Sequence, residues 1–400
     1  MGTATIVGGD RVTTALGAAE TQVVESALKI LGQGFTGGEV LTSLKSPPRA
    51  GILNVYNVGG GGNDSLPAGG LALVLRGDAN TQLTNIPKSG QIPTSKELLV
   101  GNQGKDTISF GGSGTVVAGD GNNIVTATPA GGSVDIVVGQ GNDTIFVTGS
   151  GSASITAGNG NNLIGIGTGS VSVGGGKNYV SIQSGTVDAG AGSDTITVQT
   201  SGTVVAGGGN DVITLQGSGS IKVGFGNDTI TLGSGSDMVT VAGAATVHGG
   251  SGTSTVLGGV KSFFFQGLSG NDSVSAGKGN ATMIGGSGQE VFVAGAGKTI
   301  MTAGRGHDTF IGGSSFDTMT GMGAQTNLFS FDTKMAGGTH VINGFIEGAD
   351  KIQLVGYNLN QVFNQDLKVQ GGNTIISLDH GRTTITLVGF TNLHKSDLTS

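Results

Sequence analysis

Aspartate occupies a fixed place in a short glycine-rich unit that recurs along this sequence. The unit reads GQGNDTI, GAGSDTI, GGGNDVI and GFGNDTI, beginning at Gly139, Gly190, Gly207 and Gly224. Because the chain contains no cysteine, a metal must be bound here by oxygen atoms or by five scattered histidines. Calcium prefers six to eight oxygen ligands from carboxylates and carbonyls, and turns without side chains leave their carbonyls accessible. The residue types therefore favour cation binding.

The charge distribution also indicates a cation as the partner. The chain carries 26 acidic and 19 basic residues, which gives a net charge of −7. Nine Asp and two Lys fall between Asp106 and Val260, so this stretch alone holds a net charge equal to that of the whole chain. No basic patch remains there to follow a nucleic-acid backbone, and the sequence argues against nucleic acid as a partner.

Glycine determines the architecture, because it supplies 81 of the 400 residues while only six prolines are present, too few for collagen. The glycine-rich unit repeats every nine residues from Gly277 to Gly313, and upstream a long and a short unit together take 16 to 19 residues. That length fits two glycine turns and two short strands, so the sequence predicts about 12 coils of a parallel β-solenoid. We expect a ladder of β-branched residues to point inward: Ile108, Val125, Ile145, Ile164, Val180, Ile196, Ile213 and Ile230.

The repeated G-x-G-x-D-x-apolar pattern resembles the nonapeptide of the RTX family, which forms a calcium-binding parallel β-roll. The resemblance covers roughly residues 101–331. It implies that calcium lies between neighbouring turns, bound by the motif aspartates and by turn carbonyls. The ligands so implied are Asp106, Asp143, Asp194, Asp211, Asp228, Asp237, Asp272, Asp308 and Asp317. The alternative is that these aspartates only cap turns, as Asp often does.

Two departures from the pattern affect which coils bind metal. Asparagine replaces the motif aspartate at Asn123, Asn162 and Asn178, where amide side chains can stack in a ladder that needs no metal. Asp194, Asp211 and Asp228 follow one another on one edge, so two sites between their coils are the strongest candidates. After Asp228 the spacing drops to nine, which moves the acidic row to the opposite edge. There it continues, interrupted by Ser254, through Asp237, Asp272, Glu290 and Asp308.

The N-terminal 100 residues form a separate region in this interpretation. Residues 11–34 predict an amphipathic helix with Leu16, Ala19, Val23, Ala27 and Ile30 on one face, ended by Gly32 or Gly34. Short β runs follow at residues 51–75. We expect this region to cover one open end of the solenoid or to pair with a neighbouring molecule.

Residues 332–400 predict a β-rich C-terminal cap, which a solenoid needs to shield its open core. The runs HVINGFIEGADKIQLVGY and NTIISLDHGRTTITLVGF are also similar to the C-terminal region of RTX proteins exported by the type I pathway. That resemblance implies type I secretion machinery as a partner and an extracellular or cell-surface location. It agrees with an N-terminus that shows neither a signal-peptide nor a myristoylation pattern, and no apolar run reaches the length of a membrane span.

Catalytic motifs are lacking in the sequence, which contains neither G-x-S-x-G nor HExxH, so we expect no enzyme. The histidines are interpreted as isolated turn or surface residues: His248, His307, His340, His380 and His394. Side chains alternate between the two faces of a strand, so at least one ring of the run Phe263, Phe264 and Phe265 must face outward unless a bulge breaks the alternation. Such a ring would suit contact with a partner.

Three functions remain compatible with the sequence. The first is a structural protein, similar to RTX-type surface-layer and biofilm proteins, whose calcium-dependent self-association requires residues 1–100. The second is an adhesin whose N-terminal region binds a surface glycan or a cell. The third is an enzyme or toxin with an unrecognised site.

Overall fold

The computed structural model describes residues 2–5, 11–14, 16–33, 38–47, 49, 53–67, 71–85, 95–322, 326–335 and 337–400. The chain divides into two compact units, residues 1–199 and residues 200–400. Each unit is a β-solenoid, in which two columns of short parallel strands are stacked coil upon coil. The predicted all-β parallel solenoid is confirmed.

In the N-terminal unit, each coil contributes one strand to each column. The first column contains Gly38–Leu41, Leu53–Gly59, Ala72–Arg76, Lys96–Val100, Ser113–Gly119 and Ser133–Val138. The second column contains Gly62–Ser65, Thr81–Thr84, Thr107–Gly111 and Ile124–Thr128. Three long strands then serve both columns: Thr144–Ala157, Leu163–Val173 and Tyr179–Ala189. The ladder therefore begins well upstream of residue 101, where the nonapeptide pattern starts.

The C-terminal unit has two columns of its own, and its first column begins where the last residues of strand Thr195–Ala206 pair with Ser218–Val223. That column continues through Asp237–Val241, Ser254–Leu257, Ser273–Ser275, Val291–Val293, Thr309–Ile311, Leu328–Asp332, Lys351–Val355 and Leu398–Thr399. The second column contains Val212–Leu215, Asn227–Leu232, Ala244–His248, Phe263–Gln266, Ala281–Ile284, Thr299–Thr302, Phe316–Thr320, Gly338–Asn343 and Thr383–Leu387.

In the segment predicted as a C-terminal cap, the strand pairing changes from parallel to antiparallel. Leu367–Gln370 pairs antiparallel with Asn373–Leu378, which in turn pairs antiparallel with Thr383–Leu387. Short helical segments join these strands: Thr333–Met335, Leu359–Gln361, Val362–Asp366, Asp379–Gly381 and Lys395–Asp397. Because antiparallel strands interrupt the parallel stack, this segment closes the column.

Coil length follows the predicted period in the later repeats. Motif residues in neighbouring coils are 18 positions apart from Ser254 to Asp272 and from Glu290 to Asp308, which is twice the nine-residue unit. In the N-terminal unit the separation varies more, from 16 between Asn162 and Asn178 to 25 between Thr81 and Asp106. The expected range of 16 to 19 is therefore too narrow for the first coils.

The core is thin and continuous within each unit. All eight predicted inward residues are buried, with 0 to 1% of their surface exposed. Toward the C-terminus phenylalanine replaces the β-branched ladder, with successive ring centroids 5.0 to 6.2 Å apart in the order Phe265, Phe292, Phe310, Phe329, Phe345 and Phe390. In the Phe263–Gln266 strand the register is regular, so the bulge expected as one alternative is absent and Phe264 faces outward.

Glycine is required where turns stack closely. A Cβ added to Gly306 would lie 1.4 Å from the carbonyl oxygen of Gly288 in the preceding coil. Any other residue would therefore push the two coils apart.

The helix predicted at residues 11–34 is wrong in its first part and in part of its buried face. Arg11–Thr14 is a strand paired antiparallel with Gly2–Thr5, and the helix is Ala18–Leu31. Extended backbone at Gly17 separates the two, and Glu20 accepts a hydrogen bond from the Gly17 main-chain N–H at 3.1 Å. Gly32 ends the helix as predicted, whereas Gly34 lies outside the described residues.

The buried face of the helix comprises Thr21, Val24, Ala27 and Leu28, whereas Ala19 and Ile30 are exposed. Val24 and Leu28 belong to one hydrophobic cluster with Val55, Val74 and Leu98 of the first column. The helix thus packs against the side of the first coils. The sequence analysis expected the helix to cover an open end of the solenoid, and this is not where it lies. The predicted β runs are themselves coils of the ladder.

Candidate calcium sites

The nine predicted aspartates share one position in their coils. Each lies at the start of a strand or just before it, where the chain leaves a glycine turn, and no more than 6% of its surface is exposed. Burial of so many carboxyl groups is unusual unless each is paired with a donor or a cation.

One oxygen of most motif side chains joins its coil to the preceding coil. The main-chain N–H of Asp211 donates to Oδ1 of Asp228 at 3.0 Å, and that of Ser254 donates to Oδ1 of Asp272 at 2.9 Å. In the N-terminal unit Asn123 donates in the same way to Asp143 at 2.8 Å. The motif side chains therefore form a ladder of hydrogen bonds along the stacking direction.

The motif carboxylates are of two kinds, which differ in whether the second oxygen has a hydrogen-bond partner. In Asp106 and Asp308 it accepts a main-chain N–H from four residues upstream, from Asn102 at 2.9 Å and from Gly304 at 2.7 Å. In a second group the other oxygen is buried and has no hydrogen-bond partner of normal geometry among the described residues. That group comprises Asp143, Asp228, Asp237, Asp272 and, with both oxygens, Glu290.

Burial makes these groups costly to ionise. It raises the pKa of Asp106, Asp143 and Asp237 to about 6, although main-chain hydrogen bonds oppose the shift. Burial together with the adjoining Asp308 carboxyl raises the pKa of Glu290 to about 8. For the remaining shifted groups burial again raises the pKa: Asp194, Asp228 and Asp272. A cation next to these oxygens removes that cost.

The acidic row changes edges as the spacing predicted. Asp228 lies in the second-column strand Asn227–Leu232, whereas Asp237 begins the next strand of the first column. From there Asp272, Glu290 and Asp308 precede three consecutive first-column strands, so their carboxyl groups lie in neighbouring coils.

Glu290 belongs to that row by its spacing, although the resemblance does not include it among the ligands. Its position between two aspartates, together with its raised pKa, makes it part of the candidate site. Asp350 is an acidic residue that the repeat pattern misses. It is fully buried before strand Lys351–Val355 and accepts the Asn327 N–H at 2.7 Å, but the longer coil that precedes it hides it from the nine-residue period.

Asp317 has a different environment from the other predicted ligands. It is paired in register with His340, whose Nδ1 lies 3.0 Å from its Oδ2. Both side chains are buried, so the interpretation of His340 as an isolated surface histidine is wrong. The coil separation of 23 residues at this point conceals the pair in the sequence.

The donor set fits calcium. Each candidate position offers carboxylate oxygen beside the carbonyls of a glycine turn, and calcium takes oxygen ligands of both kinds. Within the described ranges no three His, Asp or Glu side chains converge on one point. A cation between two coils would thus be bound by one or two carboxylates and completed by main-chain carbonyls.

Comparison with known proteins identifies the repeat. The RTX calcium-binding nonapeptide repeat matches this chain in four copies, at residues 201–239, 266–301, 284–319 and 302–324. The protein therefore carries RTX repeats, and calcium is the ion that such repeats bind. The matches include Asp211, Asp228, Asp237 and the row from Asp272 to Asp308. The coils that contain the three motif asparagines lie outside them.

Other comparisons add little. No curated protein matches the chain. The crystal structure of the extracellular lipase LipA from Serratia marcescens is similar over 56% of this chain and 40% of the lipase chain, with 15% identity and a TM-score of 0.27. A likeness this weak carries no argument about activity. No helix in the described part of the chain has the length and apolar character needed to span a membrane.

We predict that acidification stabilises the calcium-free protein. Because the folded pKa values of Asp237 and Glu290 lie above their ordinary values of 3.8 and 4.5, the folded state binds more protons, and stability is lost as pH rises from about 4 to about 8. Lowering the pH from 8 to 5 after chelation should raise the melting temperature by about 4 °C or more. With saturating calcium the trend should reverse, since protons then compete with the metal. A melting temperature that falls on acidification without calcium would contradict the raised pKa values.

Proposed function

We propose that this chain is a secreted calcium-binding structural protein that self-associates at a cell surface or in an extracellular matrix. The observation that carries the proposal is the set of buried carboxylate oxygens without hydrogen-bond partners in the matched repeats, at Asp228, Asp237, Asp272 and Glu290. Such oxygens are unfavourable in a calcium-free fold and favourable as calcium ligands.

The ligand assignment follows the same observation. We assign calcium first to the coils of Asp211 and Asp228 and to the row formed by Asp237, Asp272, Glu290 and Asp308. Asp106 has both oxygens hydrogen-bonded, as Asp308 has, but its neighbours in the row, Thr81 and Asn123, carry no charge. Asp143 lies between two asparagine coils, so both rank lower than the adjacent carboxylates. Asp317 ranks last because His340 lies beside it. The site between Asp194 and Asp211 stays a prediction.

Calcium would supply the positive charge that balances these carboxylates and would join neighbouring coils. Binding only to the folded state adds stability by mass action, and this matters in a solenoid whose core is narrow. Export through the type I machinery, which the C-terminal resemblance implies, would bring the chain from a calcium-poor to a calcium-rich medium.

Self-association is supported by an outward face of the C-terminal unit. A depression of about 470 Å³ lies on the second-column strands and is lined by Phe264, Thr246, Thr282, Lys298 and Ile300. Ile300 and Phe316 are 38% and 40% exposed. Because exposed apolar side chains grouped on a flat sheet favour contact with another protein, we take this face as the surface that binds a second copy of the chain.

An adhesin is the second candidate. It is supported by another exposed group on the outer face of the N-terminal unit, formed by Ile124, Phe146, Leu163 and Tyr179, each 38 to 49% exposed. Two aromatic rings on a flat sheet suit the face of a sugar or of a protein loop.

Replacing Asp272 by Asn tests calcium binding. The change keeps an acceptor for the Ser254 N–H but removes the negative charge. We expect calcium affinity to fall by about tenfold or more, and the melting temperature without calcium to rise, because a buried charge is lost. Isothermal titration and thermal unfolding provide the two readouts. Asp188→Asn, at an exposed strand position, is the matched control and should change neither. Equal affinities for both variants would refute the assignment.

Light scattering of the full-length protein tests self-association. We expect oligomers in millimolar calcium, and we expect the double variant Phe264→Ser with Ile300→Ser to remain monomeric. Val369→Ser, which alters an exposed apolar residue of the cap, should assemble normally. Substitution is a better test than removal of residues 1–100, because a cut at Leu99 would break the ladder at strand Lys96–Val100. A wild-type protein that stays monomeric would exclude the structural role in favour of the adhesin.

A further inference from the structure

Asparagine amides in the N-terminal unit contact the oxygens that a cation would otherwise bind. Nδ2 of Asn123 donates to the turn carbonyls of Gly119 at 2.9 Å and Gly121 at 3.3 Å. Nδ2 of Asn178 donates to Oδ1 of Asp194 at 2.9 Å. Turn carbonyls and motif carboxylates are the two ligand types that a calcium ion needs here. In these coils the amide group therefore fulfils the role of the metal.

The order of residues along this edge keeps like charges apart. In the described coils of the N-terminal unit no two carboxylates occupy adjacent motif positions, which run Asp106, Asn123, Asp143, Asn162, Asn178 and Asp194. The amide residues separate the carboxylates, and the Asn178 amide also donates to the carboxylate of Asp194. Repulsion between neighbouring carboxylates therefore creates no demand for a cation along this edge.

The C-terminal unit has the opposite arrangement. Asp272, Glu290 and Asp308 follow one another in adjacent coils, without an amide between them. Glu290 donates its main-chain N–H to Asp308 at 2.9 Å, while its own carboxylate is buried beside that of Asp308. Three carboxyl groups in a row, with no side-chain donor in the row, require a cation when they are ionised.

Asp317, on the edge opposite the row from Asp272 to Asp308, faces a histidine. His340 directs Nδ1 at Oδ2 of Asp317, at 3.0 Å, and Nε2 at the carbonyl oxygen of Gly337, at 3.3 Å. The imidazole therefore lies between a carboxylate oxygen and a carbonyl oxygen, the two ligand types that a cation would otherwise bind here. Oδ2 of Asp317 thus has a partner inside the protein, whereas its Oδ1 has none among the described residues.

We propose that the calcium requirement is confined to the segment from Asp211 to Asp308. Upstream of it asparagine amides replace the metal, and beyond it, at Asp317, the side chain of His340 does so. This inference rests on the proposed calcium-binding function and adds to it a boundary on each side. The N-terminal unit would then be folded before calcium is met, and only the middle of the chain would respond to the ion.

Hydrogen exchange of the full-length protein, followed by mass spectrometry, tests the boundaries. On calcium removal we expect exchange to accelerate by about tenfold or more in the strands between Asp237 and Ile311. In the strands between Thr107 and Ala189 the change should stay below about twofold. Equal acceleration in both regions would overturn the inference while leaving calcium binding intact. No change in either region would instead refute the proposed function.

Two variants move the boundaries and keep the test decisive. Asn162→Asp places a carboxylate next to Asp143, and it should make exchange in strand Leu163–Val173 depend on calcium by about tenfold. Asn161→Asp, the same change at the exposed neighbouring residue, should have no such effect. His340→Asp should extend calcium dependence to strands Phe316–Thr320 and Gly338–Asn343. If Asn162→Asp and Asn161→Asp behave alike, or if His340→Asp leaves exchange independent of calcium, the proposed boundaries are wrong.

Discussion

Carboxyl groups buried at one position of successive coils impose the main constraint on this structure. Two unit charges about 4.8 Å apart repel by about 3 kcal/mol at an effective dielectric near 20. A parallel solenoid repeats every side chain at the coil spacing, so one acidic position in the repeat becomes a row of acids. Each coil buries only a few apolar side chains, so the narrow core cannot offset the repulsion between many pairs of stacked carboxylates. A fold of this kind is stable only if each carboxylate faces a donor or a cation.

The chain meets this constraint differently along its length. Main-chain N–H groups of neighbouring coils satisfy one oxygen of most motif side chains, as Asp211 does for Asp228. The second oxygen of each motif carboxylate then still needs a partner. An amide, a histidine or an external ion can provide it. The RTX matches fall on the part of the chain where acidic residues are adjacent. Calcium binding and the architecture are thus two results of the same repeat.

Much of this arrangement is predictable because it depends on spacing. The nine-residue period determines the 18-residue coil, the inward ladder and the transfer of the acidic row to the opposite edge after Asp228. Where the period fails, prediction fails as well. The 25-residue step between Thr81 and Asp106 conceals the first coils, and the 23-residue step from Asp317 hides its pairing with His340. The sequence pattern predicts the wrong buried face for part of the helix. That face depends on contacts with Val55 and Val74, which no local pattern reveals.

The central claim is that calcium replaces protons on buried carboxyl groups of the C-terminal unit. Calorimetric titration of the full-length protein with calcium at pH 7, in buffers of different ionisation enthalpy, measures this exchange directly. Since the pKa of Glu290 is raised to about 8, this group is largely protonated at pH 7, and calcium binding should release close to one proton per chain. The release should disappear above about pH 9, where the group is already ionised. Calcium binding without proton release at pH 7 would contradict the claim.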